Sequence, residues 1–241
     1  MTGGTEKLSL IGAPIQTLVT TYRLFRGRLQ IAACALILAS LGAGAEAAEK
    51  RIIAFGDSLT AGPGLSAEDT LPVQLGKRLA ANGFSVKVVN AGVSGDTTAM
   101  GLARLDYVLS DGPVDLAILE LGANDMLQGL PPAEVRANLE KMLEIFRSKG
   151  VNVILTAMVS SNNWGQAYRQ EFDSIYPDLA TKYGVTMVPF FMEGVWGDPA
   201  LLLGDGLHPN PAGVRKIVEN IAPYAERALA PSGAARESRA K

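Results

Sequence analysis

Residues 51–62 read RIIAFGDSLTAG. Positions 51–55 form a short apolar run with β-branched and aromatic side chains and a charge only at its edge, and Gly56-Asp57-Ser58 then turns the chain. A run that is apolar at consecutive rather than alternate positions belongs in a sheet covered on both faces. Four more short runs rich in β-branched residues follow: 85–90 (SVKVVN), 116–121 (LAILEL), 152–157 (NVILTA) and 185–190 (VTMVPF). Between and after them, segments 70–82, 97–109, 132–149, 164–183 and 211–229 carry apolar residues at helical spacing. This alternation predicts an α/β fold with a central five-stranded parallel sheet and helices on both faces. Gly83 and Gly150 stop helices, and the polar step Ser94-Gly95-Asp96 is placed to cap the helix beginning at 97.

The 241 residues, 48% hydrophobic and 19% charged, suffice for one globular domain. A formal charge of −2 gives no basis for nucleic acid or an anionic membrane as the main partner. Residues 1–47 read as a cleaved secretory signal peptide: a basic stretch at 22–28 (YRLFRGR), an apolar run at 31–41 (IAACALILASL) and the small-x-small site Ala45-Glu46-Ala47. The apolar run falls short of the roughly 20 residues of a spanning helix. Ile31-Ala32-Ala33-Cys34 resembles a lipobox but follows Arg28 too closely. The expected product is a periplasmic or secreted monomer without a stable membrane anchor, made of a domain over 48–230 and a flexible polar tail over 231–241. Removing 1–47 takes away Lys7, Arg23, Arg26 and Arg28 against Glu6 and Glu46, leaving 18 basic and 22 acidic residues. It also removes Cys34, the only cysteine, so disulfides and thiol catalysis are excluded from the mature chain.

In an open parallel sheet, ligands gather beyond the carboxyl ends of the strands. Four loops there carry conspicuous residues: Gly56-Asp57-Ser58-Leu59, Ala91-Gly92-Val93-Ser94-Gly95-Asp96, Gly122-Ala123-Asn124-Asp125 and, after the fifth strand, Gly204-Asp205-Gly206-Leu207-His208-Pro209-Asn210. His208 is the only histidine of the chain. It sits in a Gly/Pro loop at this rim with Asp205 three residues earlier, where a short turn aims a carboxylate at the imidazole; the plainer reading is a loop whose Asp caps the final helix. A serine hydroxyl needs such a base, and the base needs an acceptor that fixes its tautomer. With no second His and no Cys as partners, no metal site is expected.

These four blocks, in this order and at these spacings, resemble the GDSL or SGNH hydrolase family, over about residues 51–229. Val93-Ser94-Gly95-Asp96-Thr97, Gly101-Leu102-Ala103-Arg104-Leu105, Glu120-Leu121-Gly122-Ala123-Asn124-Asp125, Ile175-Tyr176-Pro177 and Pro189-Phe190-Phe191-Met192-Glu193 are similar to its bacterial periplasmic thioesterase, lysophospholipase and arylesterase members. The resemblance implies a three-layer flavodoxin-like fold and hydrolysis of oxygen esters and thioesters without metal or cofactor. One departure is Ala123, where many relatives carry a second Gly.

On this reading Ser58 is the nucleophile, His208 the base and Asp205 its orienting acid. The resemblance assigns the oxyanion donors to the Ser58 and Gly92 N–H groups and the Asn124 amide. Asp57, Asp96 and Asp125 are read as structural acceptors of loop or helix N–H groups. Leu59, Met126, Leu127, Leu130, Trp164, Phe190, Phe191 and Met192 are candidates for an apolar substrate groove, and by resemblance 125–130 is a mobile loop over the acyl chain. The substrate is then a small acyl ester or thioester of short to medium length. A carbohydrate O-acetyl esterase of the same superfamily is the alternative, although only Trp164 and Trp196 offer large stacking surfaces. A flavodoxin-like binding module is disfavoured, since the first loop lacks both a P-loop Lys and Gly-x-Gly-x-x-Gly spacing.

Overall fold

The computed structural model describes residues 48–230. Five parallel strands, β1 (Lys50–Gly56), β2 (Val86–Gly92), β3 (Leu116–Glu120), β4 (Asn152–Thr156) and β5 (Thr186–Val188), form one sheet in the order β2-β1-β3-β4-β5. The helices are α1 (Ser58–Ala61), α2 (Leu71–Ala81), α3 (Thr98–Leu109), α4 (Ala123–Gln128), α5 (Pro132–Ser148), α6 (Gln166–Tyr183) and α7 (Pro211–Leu229), with 3-10 turns at Ala67–Asp69 and Asn162–Trp164.

The strand order explains the layers. The chain steps from β1 outward to β2, then returns over β1 to β3 and continues through β4 to β5. Because parallel crossovers are right-handed, that reversal puts α2 on one face and α3, α5 and α6 on the other. The packing agrees: α2 lies against α7, while α3 packs on α5 and α5 on α6. The central strands are buried as their sequences require, with every residue of β3 and Ile52 to Gly56 of β1 inaccessible. Phe55, Phe146, Phe172 and Tyr176 are among the largest fully buried side chains. The carboxyl ends of β1 and β3 border the point where the order reverses, so an α/β sheet of this kind opens its crevice there.

Three local expectations are corrected. The N-cap of α3 is Thr97, whose Oγ1 accepts from Met100 N at 3.4 Å, and not the 94–96 step. β5 has three residues where 185–190 was expected. Residues 125–130 do not form a loop, because α4 runs to Gln128. The signal-peptide and tail expectations, for 1–47 and 231–241, lie outside the described residues. Among the described residues no helix is long and apolar enough to cross a membrane.

Candidate active site

After β1 the chain turns through Asp57, whose Oδ1 accepts from Leu59 N at 2.9 Å and caps α1. Ser58 is therefore the first residue of a single helical turn, closed by Gly62 in the left-handed conformation. Gly56 leaves room for this turn, since a Cβ there would collide with the Glu120 carboxyl and the Thr60 hydroxyl.

His208 reaches Ser58 from the long connection after β5. Leu202 and Pro209 form an antiparallel bridge, and His208 O accepts from Leu203 N at 2.7 Å, closing a turn in which Gly206 has φ +68°. Within it, Asp205 Oδ1 accepts the Leu207 and His208 N–H groups at 2.9 and 3.0 Å. Asp205 Oδ2 lies 2.6 Å from His208 Nδ1, and His208 Nε2 lies 2.9 Å from Ser58 Oγ. A carboxylate accepts only, so Nδ1 carries the proton and Nε2 is free to accept from Ser58. The bond from His208, with the two backbone donors, holds the Asp205 carboxyl well below the usual carboxylate range. Asp205 is not needed as a cap: Asn210 Oδ1 accepts from Ala212 N and Gly213 N at 2.9 and 3.1 Å at the start of α7.

Gly92 ends β2 in register with Gly56, and a Cβ on it would strike the Ala61 backbone. Its N–H is donated to Asn90 Oδ1 at 3.0 Å. Gly122, at φ +119°, starts α4 under the Tyr176 hydroxyl, which a Cβ would meet. Ala123 is then an ordinary first helical residue, which accounts for a methyl at that position. Asn124 Nδ2 donates to Asp57 Oδ2 and Asp96 O, both at 3.0 Å. Two of the three donors assigned to the substrate oxygen, the Gly92 N–H and the Asn124 amide, are thus already engaged within the protein.

Beneath this surface lies a carboxyl pair. Asp57 and Glu120 are fully buried. Glu120 Oε2 accepts from Asp57 N at 3.2 Å and from Thr60 Oγ1 at 2.7 Å, while Oε1 has no partner among the described residues. Burial, reinforced by Asp57, pushes Glu120 well above the carboxylate range. Burial also lifts Asp57, to about 6, against the Leu59 N–H and His208, which favour its charge. Two anions in one dry site are mutually costly. Asp57, with its donors, carries the charge and Glu120 the proton. Asp125, also raised by burial, accepts from Thr98 N and Oγ1 at 2.8 and 2.6 Å and ties α3 to α4.

A cleft of about 810 Å³ opens over Ser58, Asn124 and His208. Leu59, Met126, Leu127, Phe190 and Met192 line it, together with Met158, Val159, Trp196 and Leu207, which sequence reasoning did not select. Phe191 is wholly buried in the core, and neither Leu130 nor Trp164 is among the lining residues, so these three are corrected. Trp164 and Tyr168 instead hold the 126–130 segment: Trp164 Nε1 donates to Met126 O at 2.7 Å and Tyr168 Oη to Leu130 O at 3.0 Å. The Trp164 indole also lies against Gly129. Glu120 was missed as well, although an acid in so apolar a strand was a visible signal. Among the described residues, no group of three or more His, Cys, Asp or Glu is arranged to hold a metal ion.

Residues 54–216 match the model of the GDSL-like Lipase/Acylhydrolase family. The chain belongs to this family. Over 182 residues it is 41% identical to an arylesterase of Vibrio mimicus, a match covering 76% of this chain and 90% of that one. It is 37% identical over 164 residues to thioesterase 1/protease 1/lysophospholipase L1 of Escherichia coli K12, covering 68% and 77%. Among solved structures, AlinE4, an SGNH-hydrolase family esterase, is 44% identical with a TM-score of 0.64, covering 76% of this chain and 98% of that one. As a member of the GDSL-like family, with these relatives, the chain is an SGNH-type carboxylic ester hydrolase.

Proposed function

We propose that the protein cleaves small esters and thioesters of short to medium acyl chains through a covalent intermediate on Ser58. The observation that carries this reading is the unbroken relay from Asp205 Oδ2 through His208 to Ser58 Oγ, with bonds of 2.6 and 2.9 Å, at the floor of an apolar cleft.

In this mechanism Ser58 Oγ attacks the acyl carbonyl carbon as its proton passes to His208 Nε2. Asp205 stabilises the imidazolium that forms. Charge on the carbonyl oxygen is met by the Ser58 and Gly92 N–H groups and Asn124 Nδ2, the last two shared with their present acceptors. Fixed donors at such a position lower the barrier by roughly 3 kcal/mol each. The tetrahedral adduct collapses, breaking the bond from carbonyl carbon to ester oxygen or thioester sulfur, and His208 Nε2 returns the proton to that leaving group. Water then attacks the acyl-enzyme, giving up a proton to His208, and Ser58 leaves as its hydroxyl. No cofactor takes part. The basic, apolar and small-residue signals at 22–47 support export to the periplasm or beyond, and the mature protein acts as a monomer.

The test compares wild type with Ser58→Ala on p-nitrophenyl acetate, octanoate and palmitate, an acyl thioester and acetylated xylan. Loss of at least roughly 10³-fold in kcat for folded Ser58→Ala, with octanoate and the thioester among the good wild-type substrates, is the expected result. Unchanged activity in Ser58→Ala would refute the mechanism, and a clear preference for acetylated xylan would favour the carbohydrate O-acetyl esterase reading.

A further inference from the structure

One side chain that touches neither the relay nor the cleft binds two of the three loops that meet at the proposed oxyanion site and reaches the third through Asp96. Arg104 projects from α3 with its guanidinium 4.2 Å from the Phe55 ring centroid and a side chain only 20% exposed. Nη2 donates to Gly56 O at 3.0 Å, two residues before Ser58. Nη1 donates to Ala91 O at 2.9 Å, the carbonyl of the peptide unit that carries the Gly92 N–H. Nε donates to Asp96 Oδ2 at 2.6 Å, and the backbone carbonyl of the same Asp96 accepts from Asn124 Nδ2 at 3.0 Å.

These acceptors belong together for a topological reason. Gly56 and Gly92 are register partners at the carboxyl ends of neighbouring parallel strands, where the ladder stops and the last carbonyls need other donors. Val93 N supplies one bond to Gly56 O, at 3.0 Å, and Arg104 supplies the second. A planar fork of five N–H groups can span three acceptors in fixed geometry, whereas an ammonium is a flexible point donor. The bond to Ala91 O also withdraws electron density along the Ala91–Gly92 peptide and makes its N–H a stronger donor, as bonds in a chain polarise one another.

We propose that Arg104 is a positioning residue that sets the geometry of the oxyanion hole by clamping the Ser58 and Gly92 loops to one guanidinium and fixing Asp96, whose backbone carbonyl holds Asn124. It forms no bond to substrate. The proposal rests on the acyl-transfer reading of the site given above, and the experiment separates the two.

Arg104→Lys and Arg104→Ala are compared with wild type in kcat and KM for a short p-nitrophenyl ester, in phosphonylation rate by a fluorophosphonate, and in melting temperature. Rates of Arg104→Ala are also measured with added guanidinium at tens of millimolar, using methylammonium as control. The expected result is a fall in kcat of roughly 10- to 100-fold in both variants with KM within about twofold, the size of a small misalignment of transition-state donors. Guanidinium, but not methylammonium, should recover part of kcat in Arg104→Ala without moving the melting temperature. Activity within about twofold of wild type in folded Arg104→Lys and Arg104→Ala, beside normal wild-type labelling at Ser58, would overturn the role of Arg104 alone. A fall in kcat that tracks only loss of folded protein, with no guanidinium rescue, would also overturn it. Failure of wild-type Ser58 to be labelled would overturn the acyl-transfer reading and this inference with it.

Discussion

Glu120 closes a strand whose every side chain is buried, and one of its carboxyl oxygens has no partner among the described residues. An anion there would leave a bare charge in the core, which is why the proton stays. The unfolded carboxyl ionises in the ordinary range around 4.5. Above that pH the unfolded chain has released a proton that the native state keeps, so wild-type stability falls as pH rises, by up to about 1 kcal/mol per pH unit from this group. Asp57 acts with the same sign between 3.8 and about 6. Glu120→Gln keeps an oxygen for the Asp57 N–H and the Thr60 hydroxyl and removes the titration. We expect urea unfolding to show its stability relative to wild type increasing from about pH 5 to about pH 8, with kcat changed only a few-fold. A gap that does not vary with pH would contradict a protonated Glu120. In the relay, Asp205→Asn presents an N–H to His208 Nδ1 and favours the wrong tautomer, so kcat should fall by roughly 10²- to 10⁴-fold with the fold intact.

At the scale of elements, strand runs and helical periodicity were readable because burial imposes them over many residues. The ends of all five strands lie within two residues of the apolar runs quoted for them. α1 and α4 were not readable, being four and six residues long, too short to show a period. The DMLQGL stretch accordingly looked like loop, although Gly122 and Gly129 bound a helix at left-handed φ on both sides. Trp164 holds this helix, through one hydrogen bond to Met126 O and its indole laid against Gly129. Trp164→Phe keeps much of the face and removes the bond. Because α4 carries Met126 and Leu127 into the cleft, KM for an octanoyl ester should rise several-fold while that for an acetyl ester changes little. Equal effects on both esters would show that α4 does not shape the acyl site.

For the whole molecule, the order β2-β1-β3-β4-β5 brings the loops after β1, β2, β3 and β5 onto one rim, which is why Ser58, Gly92, Asn124 and His208 could be grouped from sequence alone. The layer below them was less legible. Arg104 stood in a quoted motif without a role, and Glu120, Thr60 and Tyr176 serve the site through contacts between residues distant in sequence, which no local pattern records. The cleft walls show the same limit, since Met158, Val159 and Trp196 are brought there by tertiary packing. At roughly 0.8 kcal/mol per buried CH₂, each added carbon should raise kcat/KM for p-nitrophenyl esters up to about fourfold while it still contacts the walls. A rise from acetate to octanoate followed by a fall at palmitate is expected, and an optimum at palmitate would show that the acyl chain binds elsewhere.

The catalytic role proposed for Ser58, activated by His208, is to form the covalent bond to substrate. It is tested most directly by intact-mass measurement and peptide mapping after treatment with a fluorophosphonate. A single adduct on Ser58 in wild type, none in Ser58→Ala, and labelling slowed by roughly 10³-fold or more in His208→Ala are expected. Labelling at another residue, or at an undiminished rate in His208→Ala, would contradict it.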